Sequence, residues 1–251
     1  SSSAASDVYK RQGDAAAFGR SGAILLGDLL VAWSDDLLEA GLRTAEHAAA
    51  AREVYALMRR EVTVGQFLDI AEEAAYVTSP DDTHAERALR VASLKSARYS
   101  VQHPLLLGAA LAGADAAQTR ALSAFGHPLG LAFQLRDDVL GVFGDSAVTG
   151  KPSGDDLCEG KRTVLVAYTR ESLDAGARAA FDALLGDPSL DDAQITALQQ
   201  TIRDSGALDR VEELISRSAA EADDALRGAD LGTEAMQGLL RLSRDATARA
   251  A

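Results

Sequence analysis

Six Asp-Asp pairs occur in the chain, at 35/36, 81/82, 137/138, 155/156, 191/192 and 223/224. Paired carboxylates offer the hard oxygen ligands that divalent cations prefer, so context must separate these pairs. Asp81/Asp82 follow Ser79-Pro80 and Asp191/Asp192 follow Pro188-Ser189-Leu190, positions where acidic side chains cap a helix N-terminus and its dipole. Asp223/Asp224 lie among surface charges and read as a solvated face. Asp35-Asp36-Leu37-Leu38-Glu39 places acidic groups one turn apart and reads the same way. Asp137 and Asp138 differ, because they interrupt the apolar stretch GHPLGLAFQLRDDVLGVFG, where burying unpaired carboxylates costs several kcal/mol. Arg136 offers one explanation, an ordinary ion pair. Gln134 offers another: it precedes Asp137 by three residues and Asp138 by four, so all three share a helical face. Two carboxylates and an amide turned into a cavity suit magnesium and phosphate.

Cations flank this pair in sequence. The segment VTGKPSGDDLCEGKRT holds Lys151 between Gly150 and Gly154, and Lys161 directly after Gly160. Ammonium groups on flexible backbone suit a polyphosphate as point charges, although a solvated loop has the same composition. Upstream, Lys95, Ser96 and Arg98 interrupt the apolar segment SLKSARYSVQHPLLLG. Lys95 either snorkels to the surface or meets a phosphate opposite Asp137 and Asp138, and spacing leaves both readings open.

Helices must position these groups. Helix formers dominate and the five prolines act as punctuation. Helices are expected at about 14–33, 36–58, 62–77, 84–113 with a break at Pro104, 118–143, 162–185, 191–204, 208–228 and 233–248. No segment alternates as a strand, so the expected class is all-α. Small residues in SGAILLGD, LGAALAGA and FGHPLGLAF permit close helix approach around a central space. Residues 13–251 read as one domain, whereas SSSAASDVYKRQ (1–12) carries no apolar period and reads as an unstructured junction foreign to the fold.

A net charge of -13 argues against nucleic acid or an anionic membrane as the main partner, since either needs a broad basic surface. Cys158 is the single cysteine, which excludes an intrachain disulfide and a cysteine-based zinc site and fits a cytoplasmic setting. The four histidines show no ligand spacing. No uninterrupted apolar run reaches the roughly 18 residues of a membrane span, so no integral membrane segment is expected.

Taken in order, GDLL (27–30), GQFLDI (65–70), KSARYS (95–100), FQLRDDVLG (133–141), TGKPSGDDL (149–157) and EGKRT (159–163) resemble trans-isoprenyl diphosphate synthases. The flavour is nearest the bacterial geranylgeranyl-type or medium-chain polyprenyl synthases. The resemblance implies an antiparallel helical bundle around a deep cavity, acting as a homodimer. It also implies a magnesium-dependent condensation of isopentenyl diphosphate with an allylic diphosphate, in isoprenoid biosynthesis. By matching position, Asp137 and Asp138 would hold Mg2+ on the allylic diphosphate, with Lys95, Lys151 and Gln134 binding the same group. Lys161 would lie near a diphosphate, Gln66 and Asp69 would support the site from a facing helix, and Asp28 of GDLL would play a structural part.

Two departures qualify the resemblance. The third aspartate of the second aspartate-rich motif is replaced by Gly141, and Asp145 substitutes for it only if the helix persists past Gly144. The first aspartate-rich motif and its arginines, expected upstream of GDLL, do not occur in residues 1–27. The expectation is therefore a synthase lacking its N-terminal helices and weak or inactive alone. The alternatives are a non-catalytic subunit of a prenyl synthase, which suits the missing motif, and a class I terpene cyclase, against which the two lysines argue.

Overall fold

The computed structural model describes residues 14–78, 80–145, 150 and 152–247, so Lys151 lies outside the described residues. Among those residues the structure is helical without a strand, as the sequence pattern predicts. The chain divides into two compact units, Ser1–Ala48 and Ala49–Ala251.

The first unit contains α1 (Ala15–Leu42), opened by Asp14, whose carboxylate accepts from the Ala16 N–H at 2.9 Å. The expected break near residue 34 is absent: Ser34 folds its hydroxyl back onto the Val31 carbonyl at 2.7 Å and the helix runs on through Asp35 and Asp36. Its apolar residues face every direction, and Ile24, Leu25, Leu30 and Trp33 are exposed. By length and composition alone α1 is long and apolar enough to cross a membrane. A count of unbroken apolar runs overlooks this because Gly27 and Asp28 interrupt the run.

The second unit begins with α2 (Ala48–Ala75), continuous through the expected gap at 58–62. Thr63 bonds back to the Arg59 carbonyl at 2.8 Å and stays helical. Two 3-10 turns, Tyr76–Thr78 and Asp81–Thr83, lead into α3 (His84–Val91). The helix expected over 84–113 then changes form. Residues Ala92–Gln102 wind as a π-helix, with the His103 N–H donating to the Arg98 carbonyl five residues back, before α4 (His103–Leu111) resumes. Pro104 thus sits in the first turn of α4, where its missing N–H costs little. Glycines admit this wide segment. A Cβ on Gly65 of α2 would lie 2.4 Å from the Lys95 nitrogen, and one on Gly130 would lie 2.5 Å from the Ala97 carbonyl oxygen.

The long helix α5 (Ala116–Phe143) starts with a capping box, Asp115 accepting from Gln118 N–H at 2.9 Å and Gln118 returning to the Asp115 N–H at 3.0 Å. It packs along both the π segment and α10 (Ala207–Ala225). Between α5 and α10 come α6 (Asp155–Glu159), α7 (Val164–Ser172), α8 (Ala175–Leu184) and α9 (Asp192–Asp204), and α11 (Thr233–Thr247) follows. Leu135, Val139 and Val142 of α5 join Leu157, Leu165, Ile202 and Val211 in one core, and Phe125, Leu129 and Leu226 anchor a second. The single helix expected over 162–185 is two, because Asp174 caps α8 by accepting from Ala177 N–H at 2.8 Å.

The capping expectations divide. Asp191 does cap α9, accepting from Gln194 N–H at 2.8 Å with the reciprocal Gln194 bond at 2.9 Å. Asp81 makes no cap bond; its carboxylate takes the guanidinium of Arg170 at 3.0 Å and that of Arg178, because charge-assisted pairing outweighs a short 3-10 terminus. Asp191→Ala is accordingly expected to lower unfolding free energy by about 1 kcal/mol, read from a urea midpoint, with Asp82→Ala near zero.

Candidate functional site

On α5, Gln134, Asp137 and Asp138 do share one face: all three line a cavity of about 260 Å³. Its other polar walls are Asp69 of α2, Lys95 and Ser96 of the π segment, Asp156 of α6, and Lys161, Arg162 and Thr163 before α7. Local sequence explains how α6 arrives there. Gly154 and Gly160 bracket it with φ of 80° and 71°, a left-handed conformation open to glycine, and so turn a five-residue helix tightly back toward α5.

The ordinary ion-pair explanation of the aspartates does not hold. Arg136 points away and grips Glu212 of α10 with both nitrogens, at 2.5 and 2.7 Å. Asp138 is buried, and its nearest donor is the Gln134 amide at 2.7 Å. Burial pushes its carboxyl up to about 7; the Gln134 bond and the Lys161 ammonium oppose this, while the charges of Asp156 and Asp137 reinforce it. Asp137 itself is exposed at the cavity mouth. Removing the Arg136 pair should therefore leave the cavity intact: Arg136→Gln is expected to cost about 1 kcal/mol of stability, with magnesium pyrophosphate binding unchanged by calorimetry.

Lys95 does not merely snorkel. Its Nζ lies 2.5 Å from Asp69 Oδ2 at the cavity wall, so a cation on the π segment is held by a carboxylate on α2. Arg98 of the same segment is diverted to Glu61 at 2.6 Å, and His103 Nε2 lies 2.7 Å from the other oxygen of Glu61. Lys161 pairs with Asp156 and, at 3.1 Å, with Glu159; these carboxylates raise its pKa against the opposing effect of burial.

Some candidates fall elsewhere. Gln66 is exposed and is not among the cavity residues. Asp28 belongs to the first unit. Asp145 is off the helical face of Asp138, since α5 ends at Phe143 and Gly144 turns extended at φ -65°, ψ 145°. Two wall residues were not singled out by sequence reasoning. Asp156 was one of six similar pairs, and its burial depends on the Gly154 and Gly160 turns. Arg162 stacks over Tyr76 at 4.1 Å, with Nε and Nη1 shielded and without a hydrogen-bond partner among the described residues. It also lines an adjoining cavity of about 270 Å³ with Asp69, Glu73, Glu159 and Lys161.

The donor set fits a hard divalent cation: Asp137 and Asp138 present carboxylates and Gln134 an amide, and among the described residues no arginine pairs with Asp138. Asp155, Asp156 and Glu159 also lie close enough to share an ion, but the Lys161 ammonium already engages two of them.

Residues 8–202 match the polyprenyl synthetase family. The chain belongs to that family. It is 35% identical over 215 residues to the geranylgeranyl diphosphate synthase of Mycobacterium tuberculosis, covering 83% of this chain and 59% of that protein. It is 34% identical to the geranylfarnesyl diphosphate synthase of Aeropyrum pernix, covering 83% and 64%. The chain thus spans about six-tenths of the length of these relatives. Among solved structures, a geranylgeranyl pyrophosphate synthase from Corynebacterium glutamicum, complexed with isoprenyl diphosphate and magnesium, superposes with a TM-score of 0.87 at 38% identity, over 98% of this chain and 68% of that one. The corresponding enzyme from Pyrococcus horikoshii gives 0.77 at 27% identity, over 91% and 67%. The all-α fold expected from sequence is that of the family.

Proposed function

We propose that the protein of which this chain is part, or the whole, is a magnesium-dependent prenyltransferase that lengthens an allylic diphosphate with isopentenyl diphosphate. The observation that carries this reading is the buried Asp138, bonded to Gln134 and left by Arg136, in a cavity that also gathers Lys95 and Lys161. Asp137 and Asp138 hold the cation on this reading. Magnesium bound there would supply Lewis-acid stabilisation of charge on the departing diphosphate. Lys95 and Lys161, each oriented by a carboxylate, neutralise the diphosphate oxygens, and Gln134 fixes the orientation of Asp138. Lys151 completes the cation set by resemblance. A cytoplasmic homodimer is part of the same reading; the uncovered apolar residues of α1 support association with a further surface.

An assay with radiolabelled isopentenyl diphosphate and farnesyl diphosphate tests the activity. The chain carries one aspartate-rich motif of two, so weak incorporation is expected, abolished by EDTA and by Asp137→Ala. Incorporation that survives EDTA contradicts the reading, and a cyclised hydrocarbon from the allylic diphosphate alone favours a terpene cyclase.

A further inference from the structure

The turn that places Lys161 in the cavity wall also places its neighbour. Lys161 and Arg162 are the two residues between the left-handed turn at Gly160 and Thr163, whose hydroxyl caps α7 by accepting from the Val166 N–H at 3.3 Å, so their backbone is held at both ends. The two side chains are then treated differently. Lys161 is engaged by Asp156 and Glu159, and Lys95 by Asp69. Arg162 lines the same cavity and, among the described residues, makes no hydrogen bond or ion pair. Carboxylates are not lacking, since Asp69, Glu73 and Glu159 line the adjoining cavity with it. The guanidinium instead lies on the Tyr76 ring, with Cζ 4.1 Å from the centroid. That ring is 5% exposed and stacked on His84 at 3.9 Å. It also carries Arg170 at 4.7 Å, whose own charge is met by Asp81 and Asp182. A cation–π contact orients Arg162 and leaves its N–H donors unused. Nε and Nη1 are shielded from water, and Nη2 remains to reach a ligand. A half-buried guanidinium without an anion is unfavourable in the free chain, and an anion in the cavity would relieve it.

We propose that Arg162 is a further diphosphate ligand, held on the Tyr76 ring so that it donates to a phosphate oxygen of the magnesium-bound diphosphate, with Tyr76 as its positioning residue. This deepens the diphosphate reading above and rests on it. The balance of charge supports it. With Lys95 and Lys161 matched to Asp69 and Asp156, the cavity wall keeps Asp137 and Asp138 for a divalent cation and Arg162 for the anion that the cation brings. A guanidinium already fixed by stacking has little side-chain freedom to lose on binding.

Calorimetric titration of the full chain with magnesium pyrophosphate, beside thermal melts, tests the proposal. Arg162→Gln should weaken binding by about ten- to a hundredfold, the range for loss of a charge-assisted hydrogen bond. Arg162→Met keeps an apolar stem against Tyr76 and should lose as much. A folded variant of either kind that binds like the parent, even with a lower melting temperature, would overturn the assignment and leave Arg162 a packing residue. Tyr76→Leu should weaken binding by roughly two- to fivefold in the parent and have no further effect beside Arg162→Gln. Tyr76→Phe keeps the ring and should bind as the parent does. Additive losses, or equal losses for the Leu and Phe variants, would overturn the positioning role of Tyr76. A parent chain that binds no magnesium pyrophosphate overturns the diphosphate reading and the assignment with it, whereas a binding parent with indifferent Arg162 variants overturns the assignment alone.

Discussion

Asp138→Asn is expected to abolish magnesium-dependent binding of pyrophosphate while leaving the metal-free chain at least as stable as the parent above pH 7. The first half follows from the loss of a carboxylate ligand, which should exceed the roughly 10–100-fold cost typical of partners behind the ligands. The second half follows from linkage. Burial holds the Asp138 carboxyl at about 7 in the folded chain, above the ordinary aspartate value of 3.8 that the unfolded chain keeps, so the folded state binds the extra proton between these values. Stability therefore falls as pH rises from about 4 to about 7, and the ionised group burdens the fold above that window. At roughly 1.4 kcal/mol per unit the burden is a few kcal/mol at most. Asparagine stays neutral and still accepts from Gln134. Urea midpoints at pH 5 and pH 8 without metal should thus differ less in the variant than in the parent. A variant that loses stability at pH 8 would show the carboxylate to be a structural group and not a site held ready for a cation.

The second large effect concerns backbone approach. Gly130→Val and Gly65→Val should each cost about 3 kcal/mol or more, at the upper end of overpacking losses, because the new Cβ meets backbone and not a movable side-chain tip. On Gly130 it would lie 2.7 Å from the Ala97 Cα, and on Gly65 2.7 Å from the Lys95 Cα. Any relief must displace the π segment, so diphosphate affinity should fall together with stability through Lys95. Gly108→Ala is the control. Its Cβ meets nothing within 4 Å inside α4, and the helix propensity gained should stabilise by up to about 1 kcal/mol. Chemical denaturation of the three variants checks this, and a harmless Gly130→Val would remove the case for close approach.

How much was legible follows from the range of each interaction. The helices and the face shared by Gln134, Asp137 and Asp138 depend on period and neighbours, and sequence carries both; of the small-residue segments only FGHPLGLAF brings helices close, at Gly126 and Gly130, while Gly22, Gly27 and Gly108 meet nothing within 4 Å. Partner choice over long distance is not carried. Arg136 is adjacent to the aspartates in sequence, yet Glu212 takes it from 76 residues away. The π-helical winding around Lys95 depends on Gly65 and Gly130 in other helices. Helix ends were misplaced where Ser34 and Thr63 bond back within a helix, a pattern that reads as a start signal in a one-dimensional sequence. Asp156 was hidden for the same reason: its doublet resembles the others until two left-handed glycines fold it against Gly141.

The central claim is that the cavity between α2, the π segment, α5 and the segment from α6 to α7 receives a magnesium-bound diphosphate. A crystal structure of this chain with Mg2+ and a non-hydrolysable allylic thiodiphosphate tests it most directly. The account predicts metal density on Asp137 and Asp138 and diphosphate oxygens within hydrogen-bonding reach of Lys95 and Lys161. Diphosphate bound elsewhere, or in this cavity with Asp138 still bonded only to Gln134 and no metal beside it, would contradict it.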